Sequence, residues 1–222
     1  MRRTAAAIGT VAVVALMAAG CSSSSKSDDS SAAQATTTTA VPALTTAQLQ
    51  PLLLSASDLG TTWTEDTSSS GSSSTSPSCL KSLTSADGGS GASVQAQFKS
   101  GETVFAYEGL GAVGGVSGAQ DAYEQVTAAL DSCQDLTFSS GGQPVSATIN
   151  PTGSAGVGDQ SAGYTMAFTA SGVPVTLDLV VAQVGAVDVI VMYGYAGNTA
   201  AGNVGQLATA AVNKVQTATP TA

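Results

Sequence analysis

The stretch YTMAFTASGVPVTLDLVVAQVGAVDVIVMYGY, Tyr164–Tyr195, decides the fold class. Tyr164, Met166 and Phe168 share one face of an alternating run, and Ser171-Gly172 turns the chain. Val173, Val175, Leu177, Leu179 and Val181 alternate again, with Thr176 and Asp178 on the other side. Gly185-Ala186 makes a second short link into Val187, Val189, Val191, Tyr193 and Tyr195. A period of two marks half-buried strands, and links this short join them only as an antiparallel meander.

The pattern extends outward in both directions. Val145 to Ile149 reads as a short strand, and Gly156 to Ser161 as the turn between it and the meander. Val94-Gln-Ala-Gln-Phe-Lys99 alternates strictly, and Thr103 to Glu108 pairs with it around Ser100-Gly101. Between the two sets lies a helix. Ser117 is its expected cap with Gln120 three residues on, and Ala119, Ala122, Tyr123, Val126, Ala129, Leu130 and Cys133 form one apolar stripe. A closing helix from about Asn198 lines up Val204, Leu207, Ala208, Ala211 and Val215, with Lys214 near the negative end of its dipole. A short helix near Thr46 carries Leu49, Leu52 and Leu53, although Pro51 fits only in a first turn. Trp63 is the single tryptophan and reads as a core plug. The expected fold is therefore α+β: one antiparallel sheet of five to six strands with helices packed on one face.

Composition excludes whole classes of chemistry. The 222 residues contain no histidine, which removes His-based acid–base catalysis, histidine metal sites and every Ser-His-Asp or Cys-His arrangement. All fifteen acidic residues lie beyond Cys21, against four lysines and no arginine there. A surface of that sign repels phosphate backbones, so nucleic acid is not an expected partner. The acids are scattered without calcium-loop spacing, so neither a metal nor another cofactor is expected.

Two motifs match chemistry on paper only. Gly109-Leu-Gly111-Ala-Val-Gly114 has the Gly-x-Gly-x-x-Gly form, but the strands around it read as antiparallel and the expected helix cap lies beyond the glycines. Ser78-Cys-Leu-Lys81 and Lys99-Ser-Gly101 resemble the paired motifs of penicillin-binding enzymes. Only about twenty residues separate them, however, and no Ser-x-Asn completes the set. No catalytic residue is assigned.

The chain begins with Arg2-Arg3, an uncharged apolar run, and Ala18-Ala19-Gly20-Cys21. This is the order of a secretory signal, shorter than the ~20 apolar residues of a spanning helix. The junction is similar to a bacterial lipobox, with Ala18 where Leu, Val or Ile is usual. Residues 1–20 are thus expected as a lipoprotein signal peptide, with lipidation at Cys21 and the mature protein on the outer face of the cell membrane. Residues 21–45, rich in Ser and Thr, have almost nothing to bury and read as a disordered tether of roughly 25–30 Å reach. The folded domain is expected over 46–218. With Cys21 lipidated, Cys79 and Cys133 remain as one disulfide pair in an oxidising compartment. Closing that loop could stabilise the fold by up to roughly 4 kcal/mol.

Leu52-Leu53-Leu54 leading to Asp58-Leu59 and Trp63, the cysteine at 79, the helix to Cys133, the Gly158-Asp159-Gln160-Ser161 turn and the Val173–Val191 hairpin form a pattern. From Leu52 onward it resembles the extracellular sensor domain of the mycobacterial receptor kinase PknH and its stand-alone lipoprotein relatives. The resemblance implies an antiparallel sheet with helices around a cleft, an unidentified ligand and no catalytic residue. That family typically carries two disulfides, whereas this chain has cysteines for one. The function expected is a lipid-anchored, non-enzymatic sensor-like domain that binds a small-molecule, glycan or lipid ligand through unassigned residues. It would signal through an envelope protein partner. A carrier or chaperone for envelope lipids is the alternative, and an envelope hydrolase lacks the residues.

Overall fold

The computed structural model describes residues 43–67, 91–140, 143–197 and 202–218. The strands are β1 (Thr64–Glu65), β2 (Ala92–Ser100), β3 (Val104–Ala112), β4 (Asp135–Ser140), β5 (Gln143–Gly153), β6 (Gln160–Ala170), β7 (Val173–Val184) and β8 (Val187–Ala196). The helices are α1 (Thr46–Leu49), running into a 3-10 turn at Gln50–Leu52, α2 (Ala56–Leu59), α3 (Gly115–Ser132) and α4 (Val204–Ala218).

The meander forms as its alternation requires. Ser171 and Gly172 both take positive φ, 52° and 80°, the handedness that a two-residue hairpin link needs. Ala170 then faces Val173, and Val184 faces Val187 across the second link. All pairs are antiparallel, in the order β1-β2-β3-β8-β7-β6-β5-β4. The β2–β3 hairpin is laid down first. Helix α3 then carries the chain to the far edge, and β4 to β8 return strand by strand until β8 pairs with β3.

Two expectations are corrected here. The sheet has eight strands rather than five to six, because β1 and β4 also pair at its edges. The helices also lie on both faces rather than one. Val180, Ala182 and Val184 of β7, with Val187, Val189 and Val191 of β8, pack against Leu207, Ala208, Ala211, Val212 and Val215 of α4. Val181 of β7 and Ile190 of β8 pack with Val126 and Leu130 of α3 instead. Side chains of a strand alternate between faces, so the two helices are on opposite sides. Leu49, Leu52, Leu53 and Leu54 join the α4 side, along with Phe98 and Leu110. Each such side chain, fully buried, stabilises the fold by about 1.5–3 kcal/mol. Trp63 is only half-buried, edge-on to Tyr193 at 6.1 Å between centroids.

Helix ends also shift. Helix α3 starts at Gly115 after Gly114 (φ 65°), so Ser117 lies inside it and does not cap it. A Cβ on Gly118 would sit 1.7 Å from the Val113 carbonyl oxygen, a closeness that only glycine permits. Helix α4 begins after Asn203, whose Oδ1 accepts the Gln206 N–H at 3.0 Å. Thr45 rather than Thr46 caps α1, in a box with Gln48. Among the described residues no helix is long and apolar enough to cross a membrane.

One buried carboxylate fastens the N-terminal segment to the sheet. Glu108 of β3 is 1% exposed, and its Oε2 accepts the Leu54 N–H at 2.6 Å. Its Oε1 has no partner among the described residues. Nearby, Lys214 of α4 donates to the Leu53 carbonyl (2.7 Å) and to Asp58 Oδ2 (2.9 Å). Burial pushes Glu108 up to about 7, while hydrogen bonds from Lys214 and Ser55 hold Asp58 down to about 2.

These shifts act on stability with opposite signs. Asp58 contributes stability that is complete above about pH 4 and is lost as pH falls toward 2. Glu108 keeps its proton in the fold where the unfolded chain has lost it, so stability falls as pH rises from about 4.5 to 7. That fall is on the order of 3 kcal/mol. Urea unfolding should therefore find its highest midpoint near pH 4–5. Asp188, raised to about 7 by burial in the same way, adds to the decline, so Glu108→Gln should remove only about half of the fall toward pH 8, and a profile unchanged by the substitution would contradict this account.

Candidate functional site

The site is a groove of about 510 Å³ between α3 and the sheet, within the size range of small-molecule pockets. Cross-strand register builds its floor in rows on the α3 side. Ser93, Gly111 and Asp188 form one row, Gln95, Gly109 and Ile190 the next, and Tyr107 and Met192 a third. Ala122, Tyr123 and Val126 of α3 form the wall.

The hollow exists because β3 places two aromatic residues and then two glycines along this side: Phe105, Tyr107, Gly109, Gly111. Gly111 has open space where a side chain would stand. The Tyr107 ring leans over Gly109, its hydroxyl 2.9 Å from where a Cβ would lie, and donates to Gln95 Oε1 at 3.2 Å. Further along the same face, Phe105 covers Gly194 so closely that a Cβ there would lie 2.0 Å from the ring. A shallower hollow of about 820 Å³ continues past Tyr107 and Met192 toward Val175.

Asp188 is the one acidic residue in the groove lining. Burial pushes its carboxyl up to about 7, and Oδ1 is shut from solvent with no hydrogen-bond partner among the described residues. Its neighbour in register on β7, Gln183, is already committed. The Gln183 amide donates to the carbonyls of Val116 (3.2 Å) and Gly185 (3.0 Å), and its Oε1 accepts from Gln160 (2.7 Å).

The residues singled out in the sequence fall elsewhere. Cys21, Cys79, Ser78 and Lys81 lie outside the described residues. Cys133 is buried where α3 ends, packed with Leu136, Ala147 and Ile149 away from the groove lining. Lys99 ends β2 and pairs with Asp66 at 3.7 Å. Gly109 and Gly111, which drew notice as part of a nucleotide-type motif, are strand residues on the groove floor, and Gly114 caps α3. Asp188 escaped notice, and its signal was a single acid inside the apolar run Val187–Val191. Among the described residues no three His, Cys, Asp or Glu side chains converge as metal ligands.

An antiparallel eight-stranded sheet with helices on both faces, and a groove under one of them, defines an α+β domain with a preformed hollow. No protein-family model matches the chain, and no curated protein matches it in sequence. The extracellular domain of PknH from Mycobacterium tuberculosis shares the fold, with a TM-score of 0.63 over 79% of this chain and 98% of that one. Identity is 14%, so the likeness is one of fold. The lipid transfer and protein localization domain of human StarD13 (DLC2) gives a TM-score of 0.25 at 10% identity, covering 58% of this chain and 85% of that one. That likeness is too slight to carry an argument.

Proposed function

We propose that this protein is a lipid-anchored, extracytoplasmic, sensor-like domain that binds a small ligand and performs no chemistry on it. The observation that carries the reading is the groove under α3, whose floor is left open where Gly111 has no side chain. The export signal and lipobox-like junction support an envelope location, and the fold shared with an extracellular domain agrees with it. A chain without histidine, whose groove holds one carboxylate and two tyrosines, offers binding groups rather than a nucleophile with its base. In this reading the occupied groove is sensed by an envelope protein partner.

A carrier of envelope lipids is the second reading, favoured by the apolar lining at Val126, Val181, Ile190 and Met192. Native mass spectrometry of the protein purified from its own membrane separates the two. A small polar or glycan adduct supports sensing, and an acyl lipid adduct supports carriage. Gly111→Val should abolish either adduct while leaving the melting temperature equal or higher, because valine suits a strand and the space above Gly111 is open. An adduct that survives the substitution would place the ligand elsewhere.

Two covalent features belong to the same proposal. Cys21→Ser should release the protein from the membrane fraction or leave it unprocessed, and undiminished partition into detergent would refute the anchor. Cys79 and Cys133 are proposed to be bonded to each other. Non-reducing peptide mapping should recover that linked pair, and reduction should lower the melting temperature by more than about ten degrees. An unchanged melt would remove the bond from the account of stability.

A further inference from the structure

We infer that the groove takes a cationic ligand, a positively charged nitrogen on an apolar body, with Asp188 as its counter-ion. The inference rests on the groove being the ligand site and adds the ligand's class to that reading.

Asp188 is half-buried, and its Oδ1, shut from solvent, has no hydrogen-bond partner among the described residues, a setting that disfavours the ionised carboxylate until a cation pairs with it. Across on β3 stands Gly111, which has no side chain to offer. On β7 stands Gln183, whose amide hydrogens are already given to Val116 and Gly185. The two described lysines are also engaged, Lys99 with Asp66 and Lys214 with Asp58, and no arginine follows Arg3. Tyr107 and Tyr123 are the other titratable groups of the groove lining. Among the described residues no lysine or arginine lines the groove, and a cationic ligand would supply the charge that pairs with Asp188.

The remaining lining fits that chemistry. Tyrosine rings attract cations through their faces, and Tyr107 and Tyr123 line the same groove as Asp188. Val126, Val181, Ile190 and Met192 suit a hydrocarbon body. The chain's formal charge of −9 draws cations toward the surface and repels anions. Phosphate-bearing and carboxylate-bearing ligands meet an unpaired acid in a groove without a lysine or arginine, and are disfavoured.

The test uses three probes of one size, n-hexylammonium, n-hexanol and n-hexanoate, titrated calorimetrically into the full-length protein in maltoside. Hexylammonium should bind at least tenfold more tightly than either of the others. Asp188→Asn should bring its affinity within about twofold of hexanol's, with hexanol binding and the melting temperature undiminished. Gly111→Val should block all three. Equal binding of the three probes to the wild type, blocked by Gly111→Val, would leave the groove as the site and overturn the ligand class. A hexylammonium preference that persists in Asp188→Asn would remove Asp188 as the counter-ion. Binding by none of the probes would overturn the groove itself, and the inference with it.

Discussion

Much of this architecture depends on how β7 is joined to β8. With only Gly185 and Ala186 between the strands, Val184 must face Val187, so odd positions of one strand pair with even positions of the other. The apolar alternation of β7 at Leu177, Leu179 and Val181 thus points one way, and that of β8 at Val187, Val189 and Val191 points the other. Neither face of the central hairpin can stay wet. Val180, Val181 and Ala182 are buried consecutively, as residues of a strand covered on both sides are. Helix α4 meets one apolar set and α3 the other. The turn at Gly158-Asp159 secures the joint, since Asp159 Oδ2 accepts the Gly185 N–H and the Asp159 N–H donates to the Gln183 carbonyl. Gly158 sits at φ 68°, where a Cβ would lie 2.4 Å from that same carbonyl oxygen.

The groove is a consequence of covering a wide sheet with one helix. Strands lie about 4.8 Å apart, whereas a helix with its side chains is about 10–12 Å across, so a single helix covers two to three strands. Helix α3 packs on β7 and β8 and also reaches β3 and β5. Beyond it, on the β2 and β3 side, the helix face of the sheet is covered among the described residues by its own side chains. Tyr107 and Phe105 are long enough to fold down over neighbouring glycines, while Gly111 leaves its space open. Among the described residues the hollow is therefore set by which β3 positions lack side chains.

These relations explain what could be read from the residues beforehand. Strong alternation made β2 and the β6–β8 meander legible, and the stripe ending at Cys133 made α3 legible. Strand β4 was not, because Leu136 and Phe138 are its only apolar residues, too few for a periodic signal. Its place comes from tertiary contacts, with Phe138 edge-on to Phe168 at 5.3 Å. The two-sided sheet was legible in principle, since a two-residue link fixes the parity of β7 against β8. Reading each apolar set as facing a common core hid it. Helix starts slipped because glycine pairs and close backbone approaches, as at Gly118 and Val113, have no side-chain pattern to read. For the site, Gly109 and Gly111 were conspicuous, but their meaning depends on register with β8.

Glu108 and Asp188 are acids drawn out of water to different degrees, the first fully buried and the second half-buried, and their roles differ too. They lie on neighbouring strands and open onto opposite faces, and burial raises both to about 7. Glu108 receives the Leu54 N–H and so ties the N-terminal segment to the sheet. Its cost in desolvation is offset in part by a contact the fold uses. Asp188 Oδ1 has no such return among the described residues, and a carboxyl oxygen shut from water without a partner costs more than the neutral residues that would fit there. A group that weakens the fold and meets no partner among the described residues is where a binding role is to be sought. Its position beside the open space over Gly111 makes that role a matter of what the groove admits.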